Sequence, residues 1–543
     1  MDGVIILAAG MVDDSLFVEF GKISSAEIPT VSSCAILRKC QEFNFATPMI
    51  VTLSKDSEHL KKPLSQIAPQ IHFVVPDSPI QIGEMVQLSM ASAIAQGWKS
   101  CELHFVDSIT KTKVKEDQIL VQRRPDSYRW ASILHLPTGS IDIKPKHSEA
   151  PYDMAIIGVF GCSDLIKFNE CLTHQSLIDG RSGEPQFYQA WVRYSDKIKQ
   201  VSVFEVSDWL DIGHIDGYFP ARSALLQGRV FNSFEFNVDK NSILKFSSIS
   251  KLDKNEVEWY RNWPTDLDDL IPKTSFDQNS SLEIEYIPSI SLAESLIYCN
   301  LDLAYWDRST SAIQSAFFRI NDFSRREVMP DEFRFSRYAM FFEKPFNRLK
   351  PFRNLPWFRN FLSGSIRFNG KLLPNLTEVF EFIAEIFSKE SSSPRKNLFS
   401  LMHGDFILGN MLYEMKMSRL FLIDPRGHYT SPGVWGDSLY DVCKLGHSIL
   451  GRYDFLAHNM FHLSYDNESN WEFEIAKSQS CERTLKYLED WYSKFIDNIS
   501  FDRHEVYAGI ASVLLSDISL HPEKQKRQES LLLNALNVAS EVI

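Results

Sequence analysis

Two acids and an amide in the last third of the chain carry its strongest chemical signal. His403-Gly404-Asp405 is followed after four residues by Asn410, and the apolar run Leu420 to Ile423 ends at Asp424. This spacing puts a carboxylate and an amide on one loop and a second carboxylate at the end of the next strand. A carboxylate so placed can orient and deprotonate an attacking hydroxyl. An amide oxygen and a second carboxylate can hold a hard divalent cation. Together they are the parts needed to move a phosphoryl group onto an alcohol, with Asp405 as base and Asn410 and Asp424 as Mg²⁺ ligands. Each residue alone reads as an ordinary turn; the order and spacing make the motif specific.

Other elements must bring a nucleotide to those residues. Residues 229–238 and 242–247 alternate as two strands around the turn Asp239-Lys240-Asn241, a hairpin pattern. Lys245 projects from the second strand, and residues 250–263 read as a helix carrying Glu256 and Glu258. A strand lysine paired with a helix glutamate orients ATP phosphates, and Glu256 is taken as the partner. Residues 264–280 read as a polar loop. Residues 281–288 read as a strand entering a hinge, where backbone near Glu285 and Ile287 reads the adenine edge. Residues 301–388 read as mainly helical, their aromatic stripes facing a core and Arg325, Arg326, Arg334, Arg337, Lys344, Arg348, Lys350 and Arg353 forming a solvated basic edge. Arg426 is placed either to clamp a phosphate or to pair with Asp437 or Asp441, and Asp441, at a helix start, braces the loop.

The order His403-Gly404-Asp405, Asn410, Ile423-Asp424, then Tyr440-Asp441, resembles the aminoglycoside phosphotransferase and choline kinase family over about residues 228–543. The resemblance implies a two-lobed, protein-kinase-like α+β domain using ATP and Mg²⁺, with a small lobe at about 227–290 and a large lobe at about 291–543. The absence of a glycine-rich loop before Lys245 fits that type.

The first part of the chain has a different pattern. Near-continuous apolar runs at residues 4–9, 48–53, 71–75 and 101–106 read as buried parallel strands, with helix-like stretches between them at 30–43 and 83–96. Strand–helix alternation implies an α/β fold with its site at the strand C-terminal ends. Asp107 closes one strand and Asp211 follows a later one, so the two can share a metal–phosphate site. Ile6-Leu7-Ala8-Ala9-Gly10, Gly83-Glu84, Val106-Asp107-Ser108, Ile157-Gly158-Val159-Phe160 and Trp209-Leu210-Asp211-Ile212-Gly213-His214 resemble sugar-1-phosphate nucleotidyltransferases over about residues 1–225. That resemblance implies a Rossmann-like domain in which Gly10 and Gly83 meet a nucleotide and Asp107 and Asp211 bind metal. The family's loop arginine and following lysine are absent, and Asp13 and Asp14 stand beside the expected polyphosphate position. Like charges there oppose binding, so ligand binding is expected with slow or no pyrophosphate release.

The expected organisation is an α/β nucleotidyltransferase-like domain at 1–226 and a kinase domain at 227–543. The expected function is ATP-dependent phosphorylation of a sugar, polyol or amino alcohol. The first domain would bind a nucleotide, such as CTP or UTP, or a sugar phosphate, in capsule or surface-polysaccharide precursor synthesis. Two alternatives stay open: a fully bifunctional enzyme making a nucleotide-activated precursor, and a non-catalytic nucleotide-binding scaffold. The net charge of −13 argues against a nucleic-acid partner. Eight scattered cysteines without a Cys-x-x-Cys pair argue against zinc and disulfide frameworks. With no basic, apolar leader and no long apolar run, a cytoplasmic protein without membrane insertion is expected. The acceptor and the oligomeric state are left open.

Overall fold

The computed structural model describes the chain except for residues 138, 180–182, 227–231, 238, 248–249, 277–281, 392, 394, 431–432, 467–469 and 523. It divides into two compact units: Met1–Leu225 with Tyr298–Asn300, and Leu226–Ile297 with Leu301–Ile543. Among the described residues no helix is long and apolar enough to cross a membrane.

In the first unit four apolar runs form β1 (Gly3–Leu7), β2 (Met49–Thr52), β3 (Ile71–Val74) and β4 (Cys101–Phe105). All four are parallel, β1 lying between β4 and β2. Every residue of β1 and β2 is buried, which is why neither alternates. The chain then adds β5 (Ser108–Ile109), β6 (Gln118–Arg123), β7 (Ser132–His135), β8 (Ile141–Lys144), β9 (Met154–Cys162), β10 (Ser202–Glu205) and β11 (Leu210–Asp211). β9 enters antiparallel between β4 and β6, so the sheet is mixed, ordered β10-β6-β9-β4-β1-β2-β3.

The helices of this unit are α1 (Asp14–Phe20), α2 (Ala35–Gln41), α3 (Lys61–Ile67), α4 (Ile82–Ala95), α5 (Leu165–Asp179), α6 (Glu184–Lys197) and α7 (Ile215–Ala224). Val86 and Met90 of α4, Phe168 of α5 and Trp191 of α6 join Ile5, Leu103 and Phe160 of the sheet in one core. The helix expected over 30–43 begins only at Ala35. Val31 and Ser32 take φ of 57° and 55°, a left-handed conformation that no α-helix contains.

The second unit opens with an antiparallel sheet of β12 (Asn232–Asn237), β13 (Ser242–Ser247), β14 (Thr274–Phe276) and β15 (Leu282–Glu285), ordered β12-β13-β15-β14. The ends of the expected strand 229–238, and Ser281 of the expected strand 281–288, lie outside the described residues. α8 (Ser250–Arg261) follows β13. The segment expected to be loop instead carries a 3₁₀ turn, Thr265–Leu270, and β14. A three-residue edge strand is too short to show a period.

The remainder is mainly helical. Helix Arg503–Asp517 is buried nearly all round, which removes any amphipathic stripe from its sequence. Arg337 is not on a solvated edge. It is buried, with its Nε 2.9 Å from Asp437 and its Nη atoms 3.1 and 2.9 Å from the Glu505 carboxylate oxygens. Asp437 in turn accepts from the Leu439 N–H at 3.0 Å, fixing the start of helix Leu439–Ile449.

Candidate functional site

In the second unit, Lys245 on β13 is the hub of a three-residue ion-pair group. Its Nζ donates to both Glu256 oxygens, at 2.9 and 2.7 Å, and to Asp424 Oδ1 at 2.7 Å. Burial opposes the charge of Lys245, but Asp424 and Glu256 outweigh it and hold the ammonium well above its usual pKa. Glu258 instead pairs with Arg261 at 3.2 Å, which resolves the choice between the two α8 glutamates. The Lys245 side chain is 5% exposed and that of Asp424 44%, so the buried pair presents one accessible carboxylate.

The loop after strand Leu398–Leu401 is fixed from several sides. Trp259 of α8 donates its indole N–H to Met402 O at 2.9 Å. Asp441 accepts from the His403 and Gly404 N–H groups at 2.8 and 2.7 Å. Burial raises the Asp441 carboxyl to about 7, against the lowering effect of those two bonds. Gly404 has φ +78°, and a Cβ there would lie 2.8 Å from Arg426 Cβ, so both the turn and the close approach require glycine. The Asp424 segment is tied to the same loop, because Ile423 N–H donates to Asn410 O and Arg426 N–H to His403 O, both at 3.0 Å.

These constraints bring Asp405 and Asn410 together. Asn410 Nδ2 donates to Asp405 O at 3.0 Å and to Asp405 Oδ2 at 2.9 Å. The other carboxylate oxygen, Oδ1, is 3.0 Å from Lys444 Nζ. Lys444 also lies 3.4 Å from Asp517, which is 3.1 Å from His447 Nε2. Burial opposes the Lys444 charge, and Asp405 and Asp517 overcome it. Sequence reasoning missed this lysine, although it lies three residues after Asp441, one helical turn along the same face.

Arg426 pairs with neither Asp437 nor Asp441, since the first holds Arg337 and the second the loop; its Nη1 donates to Tyr440 OH at 2.6 Å. At the expected hinge, the Glu285 N–H is already used by Lys273 O at 2.8 Å, and the Ile287 carbonyl accepts from Ser289 N at 2.8 Å.

In the first unit, a cavity of about 290 Å³ is lined by Gly10, Asp13, Asp107, Asp211 and His214, among others. The register of β5 and β11 sets Asp211 opposite Ser108, and Ile212 N–H donates to Asp107 O at 3.0 Å. A Cβ on Gly213 would lie 2.7 Å from Asp107 Oδ2 and 3.3 Å from Asp211 Oδ1, so both carboxylates crowd that glycine. Burial, then the Asp211 charge, pushes Asp107 up to about 6. Asp211 Oδ2 is 2.8 Å from His214 Nδ1; burial pulls His214 down, and Asp211, Asp107 and Asp13 outweigh it and hold it above its usual value.

Asp13 lines this cavity while capping α1 through the Ser15 N–H at 3.0 Å; Asp14 is in the first turn of that helix and does not line it. Gly10 O accepts from Ser25 N at 2.8 Å, folding the loop back on itself. Gly83 is buried within the first turn of α4 and does not line the cavity, although Ile82 and Met85 do. Two cations that the sequence did not flag, Arg129 and Lys146, reach the cavity. Arg129 pairs with Asp216, and Lys146 lies 3.6 Å from Glu184.

Among the described residues no three His, Cys, Asp or Glu side chains cluster to hold a metal ion. In both places the available ligands are one or two hard oxygen donors, a set that suits Mg²⁺ completed by phosphate oxygens and water.

No family model and no curated protein sequence matches the chain. Solved nucleotidyltransferases resemble its first two-fifths. A putative glucose-1-phosphate thymidylyltransferase from Bacillus anthracis is 15% identical over 42% of this chain and 96% of its own, with a TM-score of 0.33. A CTP:phosphocholine cytidylyltransferase from Streptococcus pneumoniae is 13% identical over 41% of this chain and 99% of its own, with a TM-score of 0.33. A nucleoside-diphosphate-sugar pyrophosphorylase from Vibrio cholerae is 12% identical over 40% and 99%, with a TM-score of 0.34.

Proposed function

We propose that the second unit is an ATP-dependent kinase that phosphorylates a hydroxyl of a small alcohol, such as a sugar, polyol or amino alcohol. One observation carries the reading: Lys245, Glu256 and Asp424 form one ion-pair group, and Asp424 is tied through Ile423 and Asn410 to the loop that holds Asp405. A buried lysine between two carboxylates is preorganised to meet phosphate oxygens. Asp405 takes the proton of the acceptor hydroxyl. The acceptor oxygen forms its bond to the γ-phosphorus while the bond from phosphorus to the bridging oxygen breaks, and that electron pair leaves with ADP. Asn410 and Asp424 would hold Mg²⁺, which when bound neutralises charge on the phosphates. Lys245 orients the α- and β-phosphates, Glu256 orients Lys245, and Asn410 fixes the Asp405 carboxylate. Backbone near Glu285 and Ile287 borders the purine. A non-catalytic scaffold has no need of these converging groups.

The first unit, in this reading, binds a nucleotide or sugar phosphate, with Asp107 and Asp211 facing its cation and the Gly10 loop bordering its phosphates. Its acid-rich cavity, with Arg129 and Lys146 engaged by carboxylates, favours binding over pyrophosphate-releasing turnover. The two activities together suit the making of surface-polysaccharide precursors. The test follows ADP release by the purified protein with ATP, Mg²⁺ and a panel of sugars, polyols and amino alcohols. Acceptor-dependent release supports the kinase. No ATP binding and no release across the panel would sink it. A parallel assay follows pyrophosphate from CTP, UTP, GTP, dTTP or ATP with sugar phosphates and phosphocholine. Brisk release that is lost in Asp107→Ala establishes the fully bifunctional alternative.

A further inference from the structure

The cations around Asp405 are not each matched by a carboxylate in contact. Lys344 and Arg348 on helix Lys344–Leu349, Arg426 after Asp424, and Lys444 on helix Leu439–Ile449 bring four cations toward one place. The carboxylates there are Asp405, Asp441, Asp454 and Asp517; Lys444 contacts Asp405 and Asp517, at 3.0 and 3.4 Å, while Asp441 is taken up by the loop N–H groups. The other three cations reach only neutral oxygens. Lys344 Nζ donates to Tyr440 OH at 3.0 Å, and Arg426 Nη1 donates to the same oxygen at 2.6 Å. Arg348 Nη1 donates to Ser516 O at 2.9 Å and Oγ at 3.0 Å. Among the described residues no carboxylate lies within ion-pair distance of Lys344, Arg348 or Arg426.

Two cations sharing one phenolic oxygen repel each other, and partial burial makes that repulsion expensive. The cluster abuts the proposed catalytic loop, because Arg426 Cβ would lie 2.8 Å from a Cβ on Gly404 and Lys444 touches Asp405 itself. Burial, followed by Arg426, Arg348 and Lys444, depresses the Lys344 ammonium far below its usual pKa, a penalty that an incoming anion would relieve.

We propose that the acceptor alcohol of this site is itself an oxyanion, carrying a carboxylate or phosphate that Lys344, Arg426 and Arg348 receive while its hydroxyl meets Asp405. The inference rests on the kinase reading and narrows its acceptor away from neutral sugars and cationic amino alcohols. Charge-assisted, forked contacts from guanidinium and ammonium groups suit a planar carboxylate or a phosphate.

The test uses the full-length protein and matched acceptors: D-glucuronate and glucose 6-phosphate against D-glucose, D-glycerate and glycerol phosphate against glycerol, and glucosamine and choline as cationic members. ADP release gives kcat and KM, and calorimetry gives binding without turnover. For at least one set the anion is expected to bind on the order of 10- to 100-fold more tightly than its neutral counterpart. The carboxylate and phosphate arms show which oxyanion is taken. Lys344→Met and Arg426→Met should bring that ratio toward one, and Arg426→Lys should keep part of it; thermal melts identify any variant that fails to fold. A preference for neutral or cationic alcohols, with ATP turnover intact, overturns the inference and leaves the kinase standing. Anion binding that Lys344→Met removes, without ADP release from any acceptor, keeps the anion site and overturns the kinase. Absence of both anion binding and turnover overturns both.

Discussion

Both units gather carboxylates, but they neutralise them differently. In the second, Lys245 joins Glu256 and Asp424, and Lys444 meets Asp405. In the first, Asp107 and Asp211 crowd one glycine, and Asp211 meets an imidazole, His214 Nδ1, at 2.8 Å. Among the described residues neither is ion-paired with a lysine or arginine. A carboxylate with its own cation is oriented before any ligand arrives, and little must reorganise during reaction. A carboxylate pair without one is costly to hold charged: burial first, and then the Asp211 charge, push Asp107 up to about 6, a cost that a bound cation offsets. On the proposed reading, the comparison separates a site built for turnover from one built for capture.

The largest expected effect breaks the second site at its base. Asp405→Asn keeps the hydrogen bond geometry toward Asn410 but cannot accept a proton. ADP release should fall on the order of 10²-fold or more, with ATP binding retained. Turnover at the wild-type rate in that variant would remove Asp405 from the mechanism. Next comes the internal cation. Lys245→Met leaves Glu256 and Asp424 without their shared partner, so ATP should bind roughly tenfold or more weakly, by equilibrium titration, with turnover falling too. Asp424→Ala should weaken ATP binding only when Mg²⁺ is present; an equal loss in EDTA would show that Asp424 has no part in holding the ion.

Much of this was legible in the sequence where the signal is local. β1 and β2 stand out because full burial makes them continuous apolar runs, and the Asp405–Asn410 spacing is a property of one loop. Lys245 was legible from its strand. The choice between Glu256 and Glu258 was not, because residues two apart on a helix point in different directions and only the packed face decides. Tertiary groupings were the least legible. Lys344 and Arg348 from one helix and Arg426 from another segment converge on Tyr440 and Ser516, and the run of basic residues that holds the first two reads as a solvated edge. Arg337 reads the same way, yet it is a buried hub whose partners Asp437 and Glu505 lie at least a hundred residues away. Gly83 lies inside the first turn of the helix that starts at Ile82 and does not line the cavity.

A smaller effect is expected where the second site is braced rather than formed. Asp441 accepts two backbone N–H groups with two oxygens. Asn has one oxygen and would turn an NH₂ toward a donor. The buried N–H left without an acceptor costs about 1–3 kcal/mol of stability. The loosened loop should cost roughly tenfold in turnover through misplacement of Asp405. Urea unfolding and ADP release measure the two. Undiminished stability would mean that the loop holds its shape without Asp441.

The smallest effect tests the first unit, and its sign follows from Asp107. The carboxyl sits at about 6 in the fold, above the ordinary unfolded value of roughly 3.9. A raised carboxyl binds its proton more tightly when folded, so the metal-free unit gains stability as pH falls from above 6 toward 4. Above pH 6 the charged pair is a liability that a divalent cation can offset, and that offset is lost as pH falls through 6. Mg²⁺ should therefore raise the melting temperature at pH 8 by about 2–4 °C and do little at pH 5. Asp107→Asn should raise the metal-free melting temperature at pH 8, leave it nearly unchanged at pH 5, and abolish the response to Mg²⁺. Carrying Asp424→Ala in the background removes any contribution from the second site. A Mg²⁺ response of equal size at both pH values, or one that survives Asp107→Asn, would show that the cation does not act through the Asp107–Asp211 pair, and the contrast between the two sites would fall with it.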